Sequence, residues 1–250
     1  MKVRFLAAAL ATMLAAGVAA APASAQQNET LTDQAKMEQI IHDYLMAHPE
    51  VILEAVDNYQ KQQEKAATQK QAQALIDRRQ ELQHTPDDPV IGNPNGDVTV
   101  VEFFDYRCPY CKSVAPAFIE LYEKDGKARL VLKEFPILGP DSEFAAKAAL
   151  AAQKQGKYRD LHLAMMTFKG KLTSDDVRQL AAKVGIDVPK LEQDMQDPAI
   201  AETINRNYAL AEALGIKGTP AFIVGDELVP GAITSEEMLR RIAAVRNPPG

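Results

Sequence analysis

Two sulfurs sit three residues apart with no other thiol to pair with: Cys108 and Cys111 are the only cysteines in the 250-residue chain. Pro109 and Tyr110 lie between them. The run follows a β-branched and aromatic stretch, 98–104, and opens a segment of helical pattern that continues to about Lys124. This setting puts both sulfurs on the first turn of a helix, close enough to bridge. The unpaired N–H groups and partial positive charge of a helix N-terminus stabilise a thiolate. Thiols in Cys-x-x-Cys motifs accordingly titrate at about 3.5–7.5 instead of about 8.5. Arg107 adds a neighbouring cation. Cys108 is therefore expected to attack and leave, and Cys111, one turn in, to resolve the mixed disulfide. Pro109 suits the first helical position, where a missing N–H costs nothing.

Two quieter readings compete. A static disulfide over so short a loop gives little chain-entropy stabilisation. Half of a zinc site needs two further ligands. The histidines are His42, His48, His84 and His162, and none is paired suitably near the cysteines. Redox chemistry is the reading that remains, with no cofactor and no metal site assigned. A Cu(I)-handling role for the soft thiolates stays as an alternative, although only the isolated pair Met165-Met166 would add soft donors.

The elements that must position this motif form an α/β pattern. Val98–Phe104 reads as a strand buried on both faces, and Ala128–Phe135 as a second, ended by Pro136. An almost wholly helical block follows over about 141–215, with Ser142 and Ser174 as helix-capping candidates. Strand signals return at Ala221–Val224, with Gly225-Asp226 turning into Glu227–Val229. Thr234 and Glu237 predict a capping box for a last helix.

Before this region the chain has another character. Lys2 and Arg4, an apolar run from Phe5 to Ala21, and Ala23-Ser24-Ala25 predict a signal peptide cleaved after Ala25, hence a periplasmic protein. Residues 26–89 form the expected helical extension and linker. Met37, Ile40, Ile41, Tyr44 and Leu45 recur at helical spacing, and Val51, Ile52, Leu53, Val56 and Tyr59 start a second helix after Pro49. From Gln60 the pattern is polar almost all round, as in a spacer, until Thr85-Pro86-Asp87-Asp88-Pro89 ends helical structure. Apolar residues ahead of a spacer predict self-association. Residues 90–250 form the main domain. The formal net charge of −6 argues against a nucleic-acid partner.

Three motifs in order, Phe103–Cys111, Lys133–Gly139 and Gly218-Thr219-Pro220-Ala221-Phe222, resemble the DsbA family of bacterial thioredoxin-fold enzymes. The resemblance covers about 90–247 and is strongest to ScsC-type (suppressor of copper sensitivity) members with an N-terminal helical extension. It implies a thioredoxin fold carrying the helical block as an insertion. It implies a cis proline at Pro220 facing the cysteines, with Thr219 offering its backbone to an extended client. It implies that Glu102 is the buried acid that takes the proton of Cys111, with Lys133 on the next strand as its expected partner. Some members are trimers assembled through the extension.

The expected activity is a protein disulfide isomerase or reductase acting on misfolded or reduced periplasmic clients and kept reduced by a membrane partner. A dithiol oxidase reoxidised by a quinone-linked partner is the alternative. Threonine before the proline resembles the isomerase DsbC more than the oxidase DsbA.

Overall fold

A computed structural model describes residues 24–247. The expected signal segment lies outside the described residues except for Ser24 and Ala25, which begin helix α1 (Ser24–Ala47). Then follow α2 (Glu50–Asp77) and the short α3 (Arg79–Gln83). The chain divides into two compact units, one ending at Gln63 and the other starting at Glu64.

In the first unit the apolar residues picked out by helical spacing are exposed: Met37, Ile40, Ile41, Tyr44, Leu53, Val56 and Tyr59 among them. They have no core of their own. The stretch read as spacer ends sooner than its composition suggests. Leu75 on α2 and Leu82 on α3 are buried in the second unit's core, so one leucine from each helix anchors a segment whose other faces are polar.

The second unit is built on a five-stranded sheet in the order β1-β3-β2-β4-β5. The strands are β1 (Val90–Gly92), β2 (Val98–Phe104), β3 (Ala128–Glu134), β4 (Ala221–Val224) and β5 (Glu227–Pro230). β2 and β3 run parallel, joined by α4 (Pro109–Asp125), and the other neighbours pair antiparallel. Strand β1, too short to show a sequence pattern, covers the edge of β3. Gly126 ends α4 in the left-handed conformation that glycine adopts without a Cβ penalty.

Because side chains alternate across a strand, the sheet separates two cores. Val98, Val100 and Phe104 of β2 face the side that includes Phe118 and Tyr122 of α4 and Ile242 of the C-terminal helix α10 (Ser235–Arg246). Val101 and Phe103 face the side that includes Leu75, Leu82 and Leu210. The helical block comprises α5 (Pro140–Gln153), α6 (Tyr158–Thr167), α7 (Ser174–Lys183), α8 (Val188–Asp194) and α9 (Pro198–Ala213). Its alanines Ala145, Ala146, Ala148, Ala149, Ala151 and Ala152 are all core, which lets neighbouring helices approach α5 closely.

Of three capping expectations, two shift by a residue or more and the third holds. Gly139 and Pro140 open α5, and the Ser142 hydroxyl bonds to Asp105 instead. Thr173, not Ser174, caps α7, in a capping box with Asp176. Thr234 caps α10, accepting the Glu237 N–H at 3.2 Å.

Candidate active site

Cys108 is the N-cap of α4, with extended backbone (φ −72°, ψ 119°), and Pro109 takes the first helical position. The Cys108 N–H donates to the Asp105 carbonyl at 3.1 Å, which closes the strand-to-helix turn. Both cysteines are free thiols and both are buried, Cys108 at 4% exposure and Cys111 at 0%.

The two sulfurs are electrostatically unequal. Cys108 titrates at about 5, chiefly because the Cys111 thiol donates a hydrogen bond to its sulfur. The Thr219 side chain and the backbone N–H groups of Cys111 and Tyr110 help, against the cost of burial. These are the N-terminal donors of α4. Cys111 is pushed far above the ordinary thiol range, first by burial, then by its bond to Cys108 and by the charge of Glu102. One sulfur is thus a thiolate at neutral pH and the other stays protonated.

Arg107 contributes less than its position suggests. Its guanidinium turns to the Leu138 carbonyl at 3.1 Å and approaches Asp141 at 3.7 Å. The thiolate is held by dipoles and not by this cation.

Glu102 lies on β2 among residues facing α4, 2% exposed, and its Oε1 has no hydrogen-bond partner among the described residues. Burial, then the nearby Cys108 charge, raise its pKa to about 8. A carboxyl so tuned lies close to thiol basicity, as transfer of a proton from a thiol requires.

Lys133 does not join it. In the parallel register Phe103 pairs with Lys133 and Glu102 with Leu132, so Lys133 shares the face of Phe103. There its ammonium forms a buried ion pair with Asp88 and donates to the Glu81 carbonyl at 2.7 Å. Proximity on neighbouring strands does not make the expected pair, because the one-residue offset puts Glu102 and Lys133 on opposite faces.

The Thr219–Pro220 peptide is cis and leads directly into β4. When protonated, the Cys108 thiol donates to the Thr219 carbonyl, 3.2 Å away. A groove of about 390 Å³ starts here, lined by Tyr110, Thr219, Pro220, Ile216 and Leu228. Tyr110 is 66% exposed, between two buried cysteines. The fold therefore brings together Cys108, Pro109, Tyr110, Cys111, Glu102, Thr219 and Pro220 and leaves Lys133 apart.

Two supports were not read from the sequence. Asp105 accepts the Arg107 N–H at 2.7 Å, the Ser142 hydroxyl at 2.8 Å and the Leu138 N–H at 2.9 Å, tying the turn before Cys108 to the start of α5. An aspartate that can accept the backbone N–H two residues on is a local turn signal that could have found the first of these bonds. Glu134, kept well above the carboxylate range by burial, accepts from Tyr106 at 3.0 Å and Tyr158 at 2.8 Å. His162 lies 3.0 Å from the Tyr106 oxygen, its pKa lowered to about 3 by burial. Nothing in their spacing announces this cluster. Met165 and Met166 are core residues, and no group of three or more His, Cys, Asp or Glu among the described residues could hold a metal.

Residues 99–243 match the family described as DSBA-like thioredoxin domain, and 33–66 match the Copper resistance protein ScsC N-terminal domain. A thioredoxin-like oxidoreductase from Silicibacter pomeroyi is 45% identical, with a TM-score of 0.66, over 68% of this chain and 99% of that one. The catalytic domain of Proteus mirabilis ScsC is 27% identical, TM-score 0.64, over 70% of this chain and 97% of that one. Among curated relatives, a Na(+)/H(+) antiporter NhaA 3 of Salinispora tropica is 31% identical over 55% of this chain. The chain spans only 21% of that antiporter's length. With the cis proline and the Cys-x-x-Cys helix start in the matched segment, this chain belongs to the DSBA-like thioredoxin domain family, as a DsbA-family protein of the ScsC type.

Proposed function

We propose that the chain is an exported, periplasmic protein disulfide isomerase or reductase working through Cys108 and Cys111. The inequality of the two thiols carries this reading: Cys108 titrates at about 5 while Cys111 is held protonated. The Cys108 thiolate attacks one sulfur of a client disulfide, forming a mixed disulfide and releasing the other client sulfur as a thiolate. In isomerisation a client thiolate then attacks the mixed disulfide and returns Cys108 unchanged. In reduction the mixed disulfide removes the Cys108 charge that helps raise the Glu102 pKa. Glu102 in its ionised form takes the proton of Cys111, which attacks the Cys108 sulfur. The client leaves with two reduced sulfurs and the enzyme disulfide forms, which a membrane reductase must reduce with two electrons. Thr219 and Pro220 hold the client backbone, and Pro109 and Tyr110 set the start of α4 and the exposed lip of the groove.

Self-association through the exposed apolar residues of α1 and early α2, as a homo-oligomer and by resemblance a trimer, would present several thiolates to one client. The oxidase alternative draws on the same thiolate. Stabilising the reduced form makes the disulfide more oxidising, so a partner that reoxidised it would turn the protein into a disulfide donor.

Reactivation of scrambled ribonuclease by the pre-reduced mature protein, beside a version beginning at Glu64, tests the reading. Cutting at Pro89 would strip Leu75 and Leu82 from the core, so the cut belongs at the unit boundary. Activity in the full chain that the shortened form loses is expected. Inactivity of both refutes isomerisation and favours the oxidase.

A further inference from the structure

Two grooves flank Cys108, and their charges have one sign. The first, described above, holds Lys217 as its only charged lining residue. The second, about 320 Å³ on the other side of Pro109, is lined by Arg107, Pro109, Leu138, Gly170, Lys171 and Leu172. No acidic side chain lines either, although the whole chain carries a formal charge of −6. Lys169 and Lys171 are exposed at the rim, as is Lys217 on the opposite side. None of the three has an ion-pair partner among the described residues. Lys112 adds a fourth amine, its Nζ 2.9 Å from the Phe168 carbonyl and 5.5 Å from the Phe168 ring centroid.

The carboxylates that approach this face are already engaged. Asp141 lies 3.7 Å from the Arg107 guanidinium and accepts from the Ser174 hydroxyl at 3.1 Å, and Asp176 accepts from the Thr173 hydroxyl at 2.6 Å, both hydroxyls at the start of α7. Asp105 accepts the three bonds described for the turn before Cys108. Arg107 is thus paired with Asp141 and Lys112 feels Asp176, which leaves Lys169, Lys171 and Lys217 as the cations without an ion-pair partner among the described residues.

Resting on the redox reading above, we infer that the preferred clients are extended polypeptide segments carrying Asp or Glu on both sides of the reacting cysteine. An extended client laid along Thr219 places residues on one side of its cysteine towards Lys217 and on the other towards Lys171. Strand spacing of about 3.3 Å per residue puts flanking side chains within two or three residues over these grooves. Rim charges of this kind act on the encounter rate and on partner choice more than on the chemical step.

The test uses the reduced mature chain and three short peptides, each with one cysteine held as a mixed disulfide with thiopyridine. The flanks are Asp-rich, Ser-rich or Lys-rich, and thiopyridone release reports attack. Each rate is divided by that of 2-mercaptoethanol with the same peptide, which removes the flank's effect on intrinsic reactivity. The normalised acidic-to-basic ratio is expected at about tenfold in low salt, falling to about twofold near 0.5 M salt, where screening shortens to a few ångströms. The Lys171→Glu/Lys217→Glu variant should bring the ratio to one or invert it. A ratio near one for the unaltered protein in low salt, or one unchanged by salt, overturns the inference while leaving the redox reading intact. Failure to attack any of the three peptides overturns the redox reading itself.

Discussion

Glu102 offers a prediction with a worked magnitude. Its carboxyl is buried, one oxygen is unpartnered, and its pKa is about 8 against 4.5 for the free side chain. An acid whose folded pKa is raised contributes its full stability below the unfolded value and loses it as pH rises through the folded one. At pH 4 both states hold the proton and Glu102 is neutral in its effect. Between about pH 4.5 and 8 the unfolded chain releases the proton while the folded chain keeps it, costing about 1.4 kcal/mol per pH unit. Across that window the loss sums to about 5 kcal/mol, a large share of a typical domain stability of about 5–15 kcal/mol. Glu102→Gln removes the titration and keeps the shape. The unpartnered polar atom is present in both forms, so its constant cost cancels when one pH is compared with another. Urea unfolding of reduced wild type and variant, followed by far-ultraviolet circular dichroism at pH 4, 6 and 8, measures the gap. Relative to wild type the variant should gain steadily from pH 4 to pH 8. A gap that stays flat within about 0.5 kcal/mol would refute a raised Glu102 pKa and, with it, the proton-acceptor role proposed for this residue.

Other perturbations address the remaining parts of the site and its frame. Cys111→Ala removes the largest source of Cys108 thiolate stabilisation, so the ultraviolet thiolate titration should move upward from a midpoint near 5. An unmoved midpoint would assign the stabilisation to the backbone donors alone. Lys133→Met leaves the buried Asp88 with only the more distant Arg206, 3.9 Å away, and should cost about 3 kcal/mol in urea unfolding; a cost below about 1 kcal/mol would show that the pair is not buried as described. Gly92→Ala places a Cβ 2.7 Å from the Ala128 carbonyl at a φ of +83°. It should lower the melting temperature by several degrees, a shift of about 1–3 kcal/mol, and an unchanged melting curve would contradict the tight β1–β3 edge.

The sequence revealed the chemistry more fully than the scaffold around it. The Cys-Pro-Tyr-Cys run, the flanking parallel strands and the Gly-Thr-Pro segment are contiguous signals, each interpretable from a window of a few residues. Local periodicity also found the helical block, including the alanine run that packs as core. What escaped depends on pairing between distant residues. The partner of Lys133 is set by strand register, which a sequence window does not contain, and Asp88 lies in a segment that reads as a plain linker. The Glu134 cluster draws on Tyr106 from the turn after β2 and on Tyr158 and His162 from α6. Leu75 and Leu82 were too few apolar residues to outweigh the glutamines and lysines around them, yet burial of two leucines is worth about 3–6 kcal/mol before the entropy of ordering.

The alternation along β2 and β3 also bears on how such a protein can change over generations. The acid that tunes the thiols occupies one side of the sheet and the Lys133–Asp88 fastening the other, with backbone and two apolar layers between them. Substitutions that alter how the segment before β1 is anchored therefore meet a different set of neighbours from those that set the thiol chemistry. Selection can rework the attachment of the preceding chain, or replace that chain altogether, while the thiolate keeps its acidity. A strand that separates its odd from its even positions thus makes two traits of one domain separately heritable.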